Sequence, residues 1–301
     1  MYKYYRLVRS PPVCIYGIMA ANDMQWSSAT PGLLIILIDQ SGSMLSSYSG
    51  NESRTVFASK VINRVINEII QKNFNGDKPK NRCFISVIGY NHNVKELCSG
   101  YLTELYNNPL RIETVKKKVP DGAGGLVEQE IKMPVWVEPI EQDGATNMRG
   151  AFMMAKQVVE KWMQDKPKNP APVIINISDG IPYYERKDPH ICMQETIQVA
   201  KEIMNLSCED GNVLIFNAHI DNNGNSTIKC PSRKEEVSMA GEGAEFLYEI
   251  TSVIPEGYKE AAAKNELEIG DSARGCIFAA NDIDLINLIN FGSSKGQKDR
   301  G

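Results

Sequence analysis

Histidine is scarce in this 301-residue chain, and its cysteines follow no pattern. The three histidines, His92, His190 and His219, stand far apart, and none has a cysteine at metal-ligand spacing. Zinc and copper centres are therefore disfavoured, and the histidines read as core or surface residues. Seven cysteines, an odd number without a CxxC pair, do not form a secreted disulfide framework. They read as buried or incidental thiols of a reducing, cytoplasmic compartment. No apolar run is long enough to cross a bilayer. Charge of either sign is not in excess: the formal net charge is -4, so a basic field for nucleic acid is lacking. The run Lys116 to Lys118 reads as a solvated face. GxSxG, a Walker loop and a Cys/His nucleophile pair are also missing.

What is present is alternation. Hydrophobic residues make up 42% and charged residues 23%, the balance of a globular chain. Leu33 to Ile38 is a continuous apolar run, the mark of a strand buried on both faces. Phe57, Val61, Val65 and Ile69 then recur every four residues, predicting a helix over 53–72 that ends at Asn75-Gly76. Residues 82–90 predict a second strand, and 92–102 an antiparallel edge strand beside it. Helical spacing resumes over 146–163 and 190–206, with buried strands at 172–178 and 212–220. A helix over 243–253, a strand over 275–281 and a helix over 282–291 close the pattern. The fold class is therefore α/β, with a doubly wound, mainly parallel central sheet flanked by helices.

The boundaries follow from the interruptions. Residues 1–30 form an N-terminal extension, 31–291 one domain, and 292–301 a flexible, frayed tail. Between about 103 and 143 the periodicity weakens, "PDGAGG" is a loop by composition, and 130–140 predicts a short strand broken by prolines; this stretch reads as an insertion. The extension begins basic and turns apolar in the order of a secretory leader, but two prolines precede its short apolar core and "ND" follows it. A peripheral extension is the plainer reading.

Chemistry concentrates where strands end. In such a sheet ligands bind outside the carboxyl ends of the strands. Asp39 closes one buried strand and Asp179 another, so two carboxylates reach one rim. Ser41 and Ser43 lie on the turn leaving Asp39, and Thr146 opens a helix after "DGA". These are hard oxygen donors, suited to Mg²⁺ or Mn²⁺ with water completing the shell. A metal so sparsely neutralised could accept a carboxylate from another molecule. Gln40, Met44, Arg149, Tyr183 and Tyr184 are expected on the surrounding rim, where an aromatic pair could grip a partner or pack under its own loop. "DNNGNSTIKCPS" begins like a calcium loop, but Gly224 and Ser232 fall where that loop needs other residues. Gly122 to Gly125 does not join a strand to a helix, so a phosphate cradle is not expected there.

"DQSGSM", "DGATNMRGAF" and "INISDG" resemble the metal-ion-dependent adhesion site of the von Willebrand factor A domain family. The resemblance covers roughly residues 31–291 and implies a Rossmann-like fold. It implies metal ligation by Asp39, Ser41, Ser43, Thr146 and Asp179, the hydroxyls directly and the aspartates often through water. The long run from Ser43 to Thr146 departs from the family's spacing and fits the insertion. A single-domain intracellular plan is similar to bacterial tellurium-resistance-type members, often encoded beside a kinase or phosphatase. It implies a non-enzymatic adaptor in signalling, stress response or defence, whose protein partner supplies an Asp or Glu. Two alternatives stay open: a metal-dependent phosphohydrolase using Asp39, against which Ser41 stands where a second carboxylate would be needed, and a scaffold with a vestigial site. Helix capping by Asp39 and the serines is the structural reading of the same residues.

Overall fold

A computed structural model of the chain describes residues 22–49, 52–120, 126–140, 143–220 and 226–296. The leader-like segment, the "PDGAGG" loop and the start of the calcium-like loop lie outside them, as does Cys14. Seven strands form the central sheet: β1 Gly32–Asp39, β2 Cys83–Tyr90, β3 Val94–Tyr101, β4 Val173–Ser178, β5 Leu214–His219, β6 Ile228–Lys229 and β7 Cys276–Phe278. Across the sheet their order is β6-β7-β5-β4-β1-β2-β3. The five inner strands run parallel, and β3 and β6 close the two edges antiparallel. The mainly parallel α/β expectation is met, including the edge strand β3.

β1 lies in the middle because every one of its residues can be buried. Leu34, Ile36 and Ile38 face one core, and Leu33, Ile35 and Leu37 face the other. Helices α1 Arg54–Lys72 and α6 Asp282–Gly292 cover the first face. The second is covered by α3 Met148–Asp165, α4 Pro189–Met204 and α5 Glu242–Glu249. Caps set the helix starts: Ser53 accepts the Val56 N–H for α1, Asn147 the Gly150 N–H for α3, and Asp188 precedes Pro189 at the first turn of α4. Six fully buried aliphatic side chains on β1, each worth about 1.5–3 kcal/mol, outweigh the several kcal/mol that burying the carboxylate at its end costs.

Five expectations are corrected. α1 ends at Lys72, short of Asn75-Gly76; Asn75 is already in a strand, and Gly76-Asp77 turns a tight hairpin between Phe74–Asn75 and Lys78–Pro79, with Gly76 at φ +73°. The stretch about 103–143 is ordered where described. It carries a short helix, α2 Leu102–Asn107, and a long antiparallel ribbon pairing Arg111–Pro120 with Leu126–Val135. Pro134 does not break it, because a two-stranded ribbon turns every second N–H outward, where none is needed for the ladder. α5 stops at Glu249, because Ser252 leaves the helix to bond both ways with Ile215 of β5. Strand β6 was hidden in a polar loop and is only two residues long. The tail is not frayed from its start: Ser294–Gly296 forms a 3₁₀ turn, and Gly296 packs on Trp26, itself part of the core. Residues 22–30 of the assigned extension thus help to close the domain, through Trp26 in the core and the backbone bonds of Asn22 and Trp26.

One side chain of α1 holds the end of the ribbon through three hydrogen bonds. Asn63 on α1 accepts the N–H groups of Trp136 and Val137 at 2.8 and 3.0 Å and donates to the Val137 carbonyl at 2.8 Å. Asn63→Ala should cost about 3 kcal/mol, since three buried backbone groups lose their partner. Urea unfolding would measure it, and a loss under about 0.5 kcal/mol would show the ribbon to be held otherwise.

Candidate functional site

Asp39 ends β1 beside Tyr90, the last residue of β2. Its carboxylate is fully buried and held on both sides: Oδ1 accepts the Ser41 N–H at 2.9 Å and Oδ2 the Ser178 hydroxyl at 2.8 Å. Burial first, then the neighbouring Asp179, push its carboxyl up from 3.8 to about 7, and the hydrogen bonds from Ser41 and Ser178 pull partly against that shift. Tyr90, buried beneath it, is also pushed up by burial and by Asp39. Its hydroxyl starts a polar chain through the core, donating to Asn176, which donates to Asn217, which donates to Thr251.

Three loops close over this strand end. In the first, Gly42–Leu45 makes a 3₁₀ turn that leaves Ser43 exposed and sinks Met44 into the core. Ser41 and Ser43 hydroxyls lie 3.0 Å apart, and the Ser43 hydroxyl donates to Asp179 Oδ1 at 2.9 Å. The second loop is tied to the first by the Gly42 N–H, which donates to the Gly144 carbonyl at 2.9 Å. Asp143 packs closely on Gly42: a Cβ there would fall 1.7 Å from its carboxylate oxygen, so that side chain would have to move. The third loop, leaving β4, pairs with the second through two backbone bonds between Thr146 and Tyr183, at 2.7 and 3.0 Å. Asp39, Ser41, Ser43 and Asp179 therefore meet through their side chains, whereas Thr146 is fixed by its backbone bonds to Tyr183 and makes no side-chain bond to these four. Asp179 lies one residue past the end of β4 rather than on it.

The rim differs from expectation. Met44 is wholly buried, since the 3₁₀ turn points it inward. Gln40 is buried too, its side chain lying where Gly89 leaves room. Tyr184 is buried with its hydroxyl on Glu195, so only Tyr183 of the pair is exposed, at 47%. Arg149 lies 3.8 Å from Glu195 and lines a groove between α3 and α4 with Lys156 and Glu202. Leu45 and Ile181, on the same loops as Ser43 and Asp179, are exposed instead.

Four neighbours escaped the sequence reading. Ser178 binds Asp39, and Asp143 packs on Gly42. His219, at the end of β5, lies with Nε2 3.1 Å from the Asp179 carbonyl. Arg54, the first residue of α1, donates to Asp179 Oδ2 at 2.8 Å. Ser178 stood next to Asp179 in "NISDG", His219 at a strand end and Asp143 at the start of "DGATNMRGAF", so these three had a signal; Arg54 had none.

A divalent ion is compatible with this donor set. Among the described residues no three His, Cys, Asp or Glu side chains cluster as a metal site, so an ion here would depend on hydroxyls and water. Adjacent ligands of an octahedral Mg²⁺, at about 2.0–2.1 Å from the metal, stand about 2.8–3.0 Å apart. The Ser41–Ser43 and Ser43–Asp179 separations of 3.0 and 2.9 Å match that edge.

No family model matches the chain, and no curated protein does. Solved structures with partial likeness include the conserved hypothetical protein BatB from Bacteroides thetaiotaomicron, 14% identical, covering 63% of this chain and 66% of that one at a TM-score of 0.35. The ArnB paralog VWA2 from Sulfolobus acidocaldarius is 18% identical over 64% of this chain and 35% of that one, at 0.32. The vWF domain of the type V pili tip protein Mfa5 from Porphyromonas gingivalis is 20% identical over 51% and 39%, at 0.29. This chain spans less than two thirds of the length of each.

The buried Asp39 predicts a pH signature. A carboxyl held at about 7 when folded and 3.8 when unfolded binds its proton more tightly in the folded chain. Its contribution is therefore complete below about pH 4 and is lost as pH rises towards 7. In chelator, wild type should lose on the order of 2 kcal/mol relative to Asp39→Asn across that interval. Thermal or urea unfolding of the pair from pH 4 to 8 reads the difference, and a constant gap would contradict the assignment.

Proposed function

We propose that the chain is a metal-dependent protein-binding module rather than an enzyme. Asp39, Ser41, Ser43, Thr146 and Asp179 would hold Mg²⁺ or Mn²⁺ at the rim of the sheet. The ion would supply an open, Lewis-acidic position for an Asp or Glu side chain of a protein partner. One observation carries the reading: the hydroxyls of Ser41 and Ser43 and Oδ1 of Asp179 form a continuous row at octahedral spacing, across loops 136 residues apart in sequence.

The surroundings favour capture over catalysis. Asp39 has no exposed surface and both oxygens are engaged, so it is not presented as a nucleophile and would act on the ion through water. Ser43 is exposed, so the row opens to solvent. Leu45, Ile181 and Tyr183 are exposed on the same loops, and would offer apolar contacts to a partner segment carrying the acidic residue. The vWA resemblance of the three motifs supports the same assignment and extends it to an adaptor, with a kinase or phosphatase encoded nearby as a candidate partner. Among the described residues no helix is long and apolar enough to cross a membrane.

Calorimetric titration with MnCl₂ and MgCl₂ tests the reading. Wild type should take up one ion, and Ser43→Ala and Asp39→Ala should each weaken uptake about tenfold or more while remaining folded, since a lost direct or water-mediated ligand costs at least ~1.4 kcal/mol. Absence of uptake by wild type, or equal uptake by the double variant, would end the proposal.

A further inference from the structure

Arg54 is the unexpected member of the site. Its guanidinium donates to Asp179 Oδ2 at 2.8 Å, and the two side chains are only 15% and 6% exposed. This pair is withdrawn from solvent, so salt screens it far less than a surface ion pair. The two oxygens of Asp179 are divided: Oδ2 faces the arginine, and Oδ1 faces Ser43 and the row of hydroxyls. Arg54 also opens α1, where the helix dipole disfavours a cation, and no acidic residue occupies that first turn. The Asp179 carboxylate compensates for this placement. The backbone N–H of Arg54 donates to the Ser46 carbonyl at 3.1 Å, so the same residue fastens the serine loop to the helix.

We propose that Arg54 is a built-in counter-ion of this site, holding Asp179 towards the serines while lowering the site's affinity for a bare divalent cation. The proposal rests on the metal reading above and adds its regulation. With Asp39 and Asp179 ionised, the arginine cancels one of their two charges, so these three groups and a bound divalent ion together carry one net positive charge. A partner carboxylate neutralises that excess. Cation and acidic partner thus bind best together, and the site stays weakly loaded until the partner arrives. A site with two uncompensated aspartates would hold the cation more tightly and have less use for an outside acid.

The test is titration of the full-length chain with Mn²⁺ alone, free Mn²⁺ being followed by electron paramagnetic resonance. Arg54→Gln and Arg54→Met remove the charge, the second preserving apolar length if the first folds poorly, and Arg54→Lys keeps the charge. Both neutral variants should bind Mn²⁺ about tenfold more tightly than wild type, with Arg54→Lys close to wild type. Mn²⁺ affinity in folded neutral variants equal to or below that of wild type would overturn it while leaving the metal reading intact. Absence of uptake in wild type and all variants would overturn both. Melting curves confirm folding, and loss of the tightening in Arg54→Lys separates a charge effect from a packing one.

Discussion

A single carboxylate carried into the interior organises this molecule. Asp39 arrives at the sheet's carboxyl edge on a strand with no solvent-facing side, and only directed hydrogen bonds make its position tolerable. One of these comes from the strand's own turn, the other from the neighbouring strand β4. The first dictates the course of the serine loop. The second aligns the end of β4, and with it Asp179. The order of the rim follows from the need to satisfy one buried acid.

Around that acid the three loops are cross-tied by backbone more than by side chains. Gly42 reaches Gly144, and Thr146 and Tyr183 exchange both of their bonds. Such ties set loop positions independently of the occupancy of the site, so the hydroxyl row is pre-organised rather than assembled on demand. Arg54 fits the same scheme. It holds Asp179 from behind and the serine loop from below, supplying from within the chain a positive charge that the two aspartates require.

Most of the architecture was legible because buried parallel strands have an unmistakable composition. Leu33–Ile38 and Val173–Ile177 could be little else, and their ends named Asp39 and Asp179. The serines were legible by their spacing after Asp39. The rim was harder, because the direction of a turn side chain depends on the turn type. A 3₁₀ turn sends Met44 inward and Leu45 outward, and their hydropathy hardly distinguishes them. Arg54 was illegible for another reason: its partner is 125 residues away. The ribbon of Arg111–Pro120 and Leu126–Val135 was missed because it does not alternate cleanly, the side chains of 111–116 and 127–130 being almost all exposed.

The separation of the site's two halves along the chain bears on when it can exist. Asp39 and Ser178 are 139 residues apart, and their strands lie side by side in the centre of the sheet. Every loop between them must be closed before the two acids face one another, and chain-closure entropy makes such distant pairings late events in folding. An emerging polypeptide therefore presents no partial version of the rim, neither a stray acidic pair nor a half-built cradle. The rim arrives all at once, with the completed sheet.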